Sequence, residues 1–383
     1  MPDEDKDEVQ RQVIAHLISR RRAAFRGPVA LRINVTTTQN APPHSHNIAN
    51  NLLDLFAAPR PRLRTKRRAL LYVDDQQVQA LSVTCRHGGE RAEISADARS
   101  FSDLLKDLEL MQRSDIRESD DEWESSMPFD RAMDEVGDLL HDETQLRQEL
   151  SDSTFETMRF MARQRAQELL LGRSPLRPED IARFYEGSRG GSDRAIAKLW
   201  EDVFASSPLR IHLSEAPQAE GSSARWMEEI DAKICAFRKR FGWLIDPLLI
   251  PVAVEVVVKP PPPTRQRGLH DLDNVLRRYL IPSIVTILKP ISSYRFAFDD
   301  QAIRHAAPHW FAHPSFVPHK SRTPPASTRP GVNRFEAWRL PPAREGDPGF
   351  VSAAVVTGWT GYGGVFSQID KGIDKWRDMI DRK

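Results

Sequence analysis

The chain has 383 residues, 40% of them apolar and 28% charged, with 28 prolines, enough for two or three domains joined by polar connections. No run approaches the roughly 18 apolar residues of a membrane span, the acidic start MPDEDKDEVQ does not read as a secretory signal, and Cys85 and Cys235 lie far apart. Two such cysteines offer neither a disulfide framework nor a zinc site and fit a reducing, cytoplasmic setting. The net charge of +1 hides an asymmetry: residues 101–160 carry 18 acidic against 6 basic side chains, leaving a body of +13 that suits a polyanionic partner.

In chain order, Val9, Val13, Ile14, Leu17 and Ile18 recur at helical spacing and predict a helix over 7–26, stopped by Gly27-Pro28. VALRINV (29–35) alternates as a half-buried strand, and HSHNIANNLLDLF presents a helical apolar face at Ile48, Leu52, Leu55 and Phe56. The loop that follows holds Arg60, Arg62, Arg64, Lys66, Arg67 and Arg68, and ALLYVDDQQVQALSV reads as a strand interrupted by Asp74-Asp75. Residues 101–205 are expected to be mainly helical, from the apolar stripes of FSDLLKDLELM, FDRAMDEVGDLL and TFETMRFMARQRAQELL, around an acidic connector RESDDEWESS. This acidic insert is a spacer, a module for a protein partner, or an autoinhibitory mimic of the nucleic acid.

The opening order then returns. A helix near 224–241 precedes the strand IPVAVEVVV (250–258), a basic proline-rich turn with Arg265 and Arg267, then HDLDNVLRRYL and SYRFAFDDQAI. Matched elements in matched order predict an internal duplication. The first copy lacks an obvious first strand of its own, and counting elements suggests that FVSAAVV (350–356) completes it.

Asp271 and Asp273, two apart in extended chain, present carboxylates to one side, and Asp299 and Asp300 bring more if their strand lies adjacent. Converging carboxylates repel unless a cation lies among them, and an all-oxygen set selects Mg²⁺ or Mn²⁺. An isolated DxDN would more often be a helix cap, and a DD pair a turn.

The ordered combination of strand, basic turn, DLDNVLR opening a helix, and FAFDDQAI resembles the RusA family of Holliday-junction resolvases. The resemblance covers about residues 207–345 and, more weakly, 7–100. It implies an α+β fold of two RusA-like lobes (mixed sheet with packed helices) separated by a helical insert: 1–100 a degenerate lobe, 101–205 the insert, 206–345 the nuclease lobe, 346–383 a strand–helix extension. It also implies metal ligation by Asp271, Asp273 and Asp300 with Asp299 in support, a turn organised by Asn274, and Arg277 in place of the family's catalytic lysine. Arg278 and the basic residues named above would meet DNA. In the first copy His44 and His46 fall on the aspartate positions and Asp74-Asp75 are kept, so that half is expected to be degenerate. The expected activity is structure-selective cleavage of branched DNA, such as a four-way junction, by a fused tandem that homodimerisation could double. The alternative is a catalytically weak junction-binding or scaffold subunit working with a partner, for instance in host defence.

Overall fold

The run PVAVEVVVK alternates between two apolar faces, so it needs cover on both sides, and it becomes a wholly buried strand deep in a mixed sheet. The computed structural model describes residues 2–38, 45–87, 89–114, 129–150, 152–171, 176–190, 193–203, 207–216, 224–263, 271–290, 330–358 and 364–381. The first half runs α1 (Asp3–Ser19), β1 (Val29–Thr37), α2 (Ser45–Ala57), β2 (Val78–His87), β3 (Glu93–Ser100) and α3 (Phe101–Ser114). The insert supplies α4 (Phe129–His141), α5 (Glu143–Leu150), α6 (Asp152–Leu171), α7 (Pro178–Gly190) and α8 (Asp193–Val203), followed by β4 (Arg210–Leu213). The second half runs α9 (Ala224–Ile245), β5 (Pro251–Lys259), α10 (Leu272–Val275), a π-turn (Leu276–Leu280), α11 (Ile281–Ile287), β6 (Gly331–Arg339), β7 (Phe350–Thr357) and α12 (Val365–Asp381). Among the described residues no helix is long and apolar enough to cross a membrane.

All seven strands join one sheet in the order β3-β1-β2-β6-β5-β7-β4. The period of two divides its side chains between two layers. Leu31, Ile33, Val83, Phe335, Val254 and Val256 pack under α2, α6, α9, α10 and α11. Ala30, Ala80, Ala253, Val257 and Trp338 pack under α3, α7, α8 and α12. The expected mixed α/β architecture is therefore present, with both lobes built on a single continuous sheet.

The two halves agree register for register. In each, the first strand pairs in parallel with the second and slips once, between Val29 and Ala30 or between Val252 and Ala253. Matching those slips makes Ala80, Ser82 and Cys85 the counterparts of Arg334, Glu336 and Arg339. The third strands then match as well, since Val29 faces Ser100 as Val252 faces Thr357. Between the halves β2 and β6 run antiparallel with Ser82 opposite Glu336, so each of these residues faces its own counterpart. A pseudo-twofold axis passes between them, which is the geometry of a symmetric dimer written into one chain.

The C-terminal strand corrects one expectation. β7 pairs with β5 and β4 in the second half and not with the first, where β3 is its counterpart beside β1 and no described strand matches β4. The insert is also more than a solvated spacer. Val136, Leu139, Met158, Ala162, Ala166 and Leu170 enter the core, and Gln167 Nε2 donates to the carbonyls of Leu244 (2.7 Å) and Pro247 (3.0 Å) at the end of α9. Its helix α6 thus packs on the second half, whereas the basic loop lies beside α1 of the first, where Arg60 Nη2 meets Asp3 at 3.0 Å. The acidic connector 117–126 lies outside the described residues.

Candidate metal centre

The DLDN segment leaves the extended conformation at Asp271 (φ −63°, ψ 158°) and starts α10 at Leu272. Leu272 and Val275 are buried and pull the turn into the core, which carries Asp273 down with them to 5% exposure. Asn274 Nδ2 donates to Asp271 Oδ2 at 3.3 Å and its Oδ1 accepts from Arg277 Nη2 at 2.9 Å, so the amide orients one carboxylate and one guanidinium. The following helix opens into a π-turn at Leu276–Leu280. Pro282 lacks the N–H that would close a regular turn onto the Arg278 carbonyl, and wide turns of this kind recur at functional sites.

α10 reaches over the axis to pack against β2 and α2 of the first half. There the chain arrives from Tyr72, whose hydroxyl donates to Leu53 O at 2.8 Å beneath α2. Asp74 caps a short 3₁₀ turn, Asp75–Gln77, by accepting from Gln76 N (2.9 Å), while Gln77 Oε1 accepts from Val73 N and Asp74 N. The reciprocal cap fixes the backbone that carries Asp75.

Asp75, Asp271 and Asp273 meet, with one carboxylate oxygen from each all within 4.8 Å of one another. Asp271 Oδ1 and Asp273 Oδ1 are buried and accept no hydrogen bond. Burial, and then the neighbouring Asp271, pushes Asp75 up to about 7 and Asp273 up to about 6. Asp271 is also raised by burial, with the Arg339 guanidinium opposing the shift. Buried carboxylate oxygens without donors are costly, and two of them beside a third carboxylate repel one another unless a cation lies among them. Hard oxygen donors of this number and spacing fit Mg²⁺ or Mn²⁺.

Arg339, at the end of β6, is 5% exposed and donates from Nη1 to Gln76 O at 3.2 Å. Tyr185 of α7 holds the Arg339 carbonyl through its hydroxyl. Burial lowers the Arg339 pKa and the three aspartates oppose that, so the guanidinium offsets part of their charge. Asp54, exposed on α2, is near enough to raise Asp273 further.

Two of the residues expected from sequence to ligate metal, Asp271 and Asp273, come together, and Asp75 joins them. Asp299 and Asp300 lie outside the described residues, as do His44, the His46 side chain, Arg265 and Arg267. The first half, read from sequence as degenerate, gives its aspartate to the second half's pair. Of the expected DNA-contacting residues, Arg62, Arg64, Lys66, Arg68 and Arg278 are exposed. Arg60 is instead committed to Asp3 and to Asp7 (3.2 Å), and Arg67 donates to Arg22 O. The roles of Arg339 and Asp54 have no local signal: neither belongs to a motif, and only the antiparallel β2–β6 pairing and the crossing of α10 bring them near.

The fold and site together define an α/β protein with an internal twofold and a partly buried carboxylate cluster built from both halves. Compared with protein-family models, with curated proteins and with solved structures, the chain matches none.

Proposed function

We propose that this chain is a Mg²⁺-dependent, structure-selective endonuclease that hydrolyses phosphodiester bonds in branched DNA. The observation that carries the reading is the convergence of Asp75, Asp271 and Asp273 with two buried oxygens lacking any donor. Asp75, Asp271 and Asp273 would hold the cation, and Asn274 keeps Asp271 turned toward it. When bound, the metal supplies neutralisation of phosphate charge and acidifies a ligated water. Arg277, tethered to Asn274, steadies the scissile phosphate but is a poor proton donor. Arg339 offsets part of the cluster's charge. The resemblance of DLDN and DDQAI to the RusA resolvases points to a four-way junction as substrate, and the tandem supplies both halves of such an enzyme in one chain.

The test is cleavage of a labelled four-way junction beside linear duplex, in Mg²⁺ or Mn²⁺, by the parent protein and by Asp271→Asn and Asp273→Asn. Metal-dependent junction cutting that both substitutions abolish supports the proposal. Tight junction binding without cutting, indifferent to both, replaces it with the scaffold reading.

A further inference from the structure

Beside the cluster lies a cationic surface. α1 ends at Ser19, and the next residues, Arg20, Arg21 and Arg22, are exposed, as is Arg26. None of these four pairs with a carboxylate among the described residues. The basic loop returns along α1 and closes on the same place, where Arg67 Nη2 donates to Arg22 O at 2.9 Å and leaves Lys66 and Arg68 exposed. The described non-glycine residues with positive φ are Arg21 (51°) and Arg64 (46°), one in each segment. Side chains with a Cβ disfavour that conformation, and such outliers gather where function holds the chain in place.

This surface is fastened to the carboxylate cluster. Phe25 bridges to Tyr72, with Phe25 N donating to Leu71 O at 2.8 Å. Gln77 Nε2 donates to Gly27 O (2.8 Å) and Phe25 O (3.2 Å) while its Oε1 holds the backbone before Asp75. One side chain thus positions both the basic segment and the aspartate turn. The counterpart region of the second half is covered. At the end of α9, Arg163 of α6 donates to the carbonyls of Leu244 (3.0 Å) and Asp246 (2.9 Å), and Leu249 N donates to Gln167 Oε1 at 2.7 Å. The axis therefore relates the open basic surface to a segment, 246–250, that carries no Lys or Arg and against which the insert packs.

We propose that Arg20, Arg21, Arg22 and Arg26, with Lys66 and Arg68, form a docking surface for the phosphate backbone of one double-stranded DNA arm. Resting on the nuclease reading, this assigns the arm to the first half and makes the enzyme's grip one-sided. Phosphate recognition requires exposed cations held at fixed spacing, and binding through them releases counterions. The arm enters beside Asp75, so the strand that the surface holds is the one delivered to the cluster.

The test is binding of a labelled four-way junction and a labelled linear duplex, followed by anisotropy with Ca²⁺ in place of Mg²⁺ over a range of salt. The variant is Arg20→Glu/Arg22→Glu/Arg26→Glu. The control is Lys371→Glu/Lys375→Glu on α12, exposed on the opposite face. Circular dichroism confirms that both are folded. The expected result is at least a tenfold loss of affinity for both DNAs in the first variant, with the log–log salt slope shallower by about two to three, and little change in the control. Equal affinity and slope in the variant and the parent would overturn the proposal, as would an equal loss in the control. Parent cleavage is scored separately. Binding that the triple variant loses, in a protein that never cuts, removes the nuclease reading and keeps the docking surface. Cutting with unaltered binding removes the docking surface alone.

Discussion

Ser82 and Glu336 face each other across the β2–β6 ladder, and each occupies in its own half the place that the other occupies in the opposite half. From that relationship follow the position of the axis, the single sheet and the crossing of α10 that brings Asp271 and Asp273 to Asp75. It also places an unmatched charge at the centre of the molecule, because Ser82 is small and Glu336 is not. Glu336 is accommodated by Trp338 Nε1 (3.0 Å), by the backbone at the start of α12, and by Arg334, which also pairs with Glu255 at 3.1 Å.

Glu255 and Glu336 share that one guanidinium, and burial pushes both up to about 7 from an ordinary 4.5. Between those values the native state binds protons that the unfolded chain has released. Their contribution to stability is full below 4.5 and is lost as the pH rises through 7. The metal-free protein should therefore melt at falling temperature from pH 4.5 to 7.5, and Asp75 and Asp273 act in the same direction. Glu336→Gln removes one titrating group and should flatten the slope by at most about 1.4 kcal/mol per pH unit. Thermal melts in chelator across that range check the change, and an unaltered slope would disprove it.

Metal should reverse the penalty at the cluster. Divalent cation at about a hundred times its dissociation constant stabilises a one-site protein by about 2.7 kcal/mol. Mg²⁺ or Mn²⁺ should raise the melting temperature of the parent. Asp273→Asn should melt higher than the parent in chelator, because one of three repelling carboxylates is gone, and should lose most of the metal-dependent gain. A thermal-shift series with and without the ions reads both effects. A full metal response in Asp273→Asn would show that the cation binds elsewhere.

Phe335, fully buried in β6 opposite Val83 of β2, packs where the two halves join. Phe335→Ala should cost about 3–5 kcal/mol by leaving a cavity under both halves. Denaturant unfolding should nevertheless remain a single transition, because the sheet is continuous. Separation into two transitions in the parent protein would mean that the halves fold independently.

Much of this architecture is legible in the sequence. β5 announces itself by an apolar run with no polar face, α2 and α9 by their stripes, and the pair Asp271 and Asp273 by DxD spacing at a helix start. Other elements carry weaker signals. β3, EISADARS, is an edge strand with none of its side chains fully buried, so hydropathy does not mark it. β6 is broken in pattern by Arg334, Glu336 and Arg339, charges that only a buried ion-pair network accommodates. The third member of the cluster escapes because the pairing of Asp75 with Asp271 and Asp273 belongs to the twofold and not to any local motif. A sequence read half by half assigns Asp75 to its own half.

The claim that the two halves build one catalytic centre is tested most directly at that aspartate. The measurement is the initial rate of Mg²⁺-dependent cleavage of a four-way junction by the parent, Asp75→Asn and Asp271→Asn, with Mn²⁺ binding followed by electron paramagnetic resonance on the same samples. Both variants should fold, weaken Mn²⁺ binding and lose cleavage by a hundredfold or more. Parent-like cutting and Mn²⁺ binding by Asp75→Asn, beside an inactive Asp271→Asn, would contradict that claim and return the site to the second half alone.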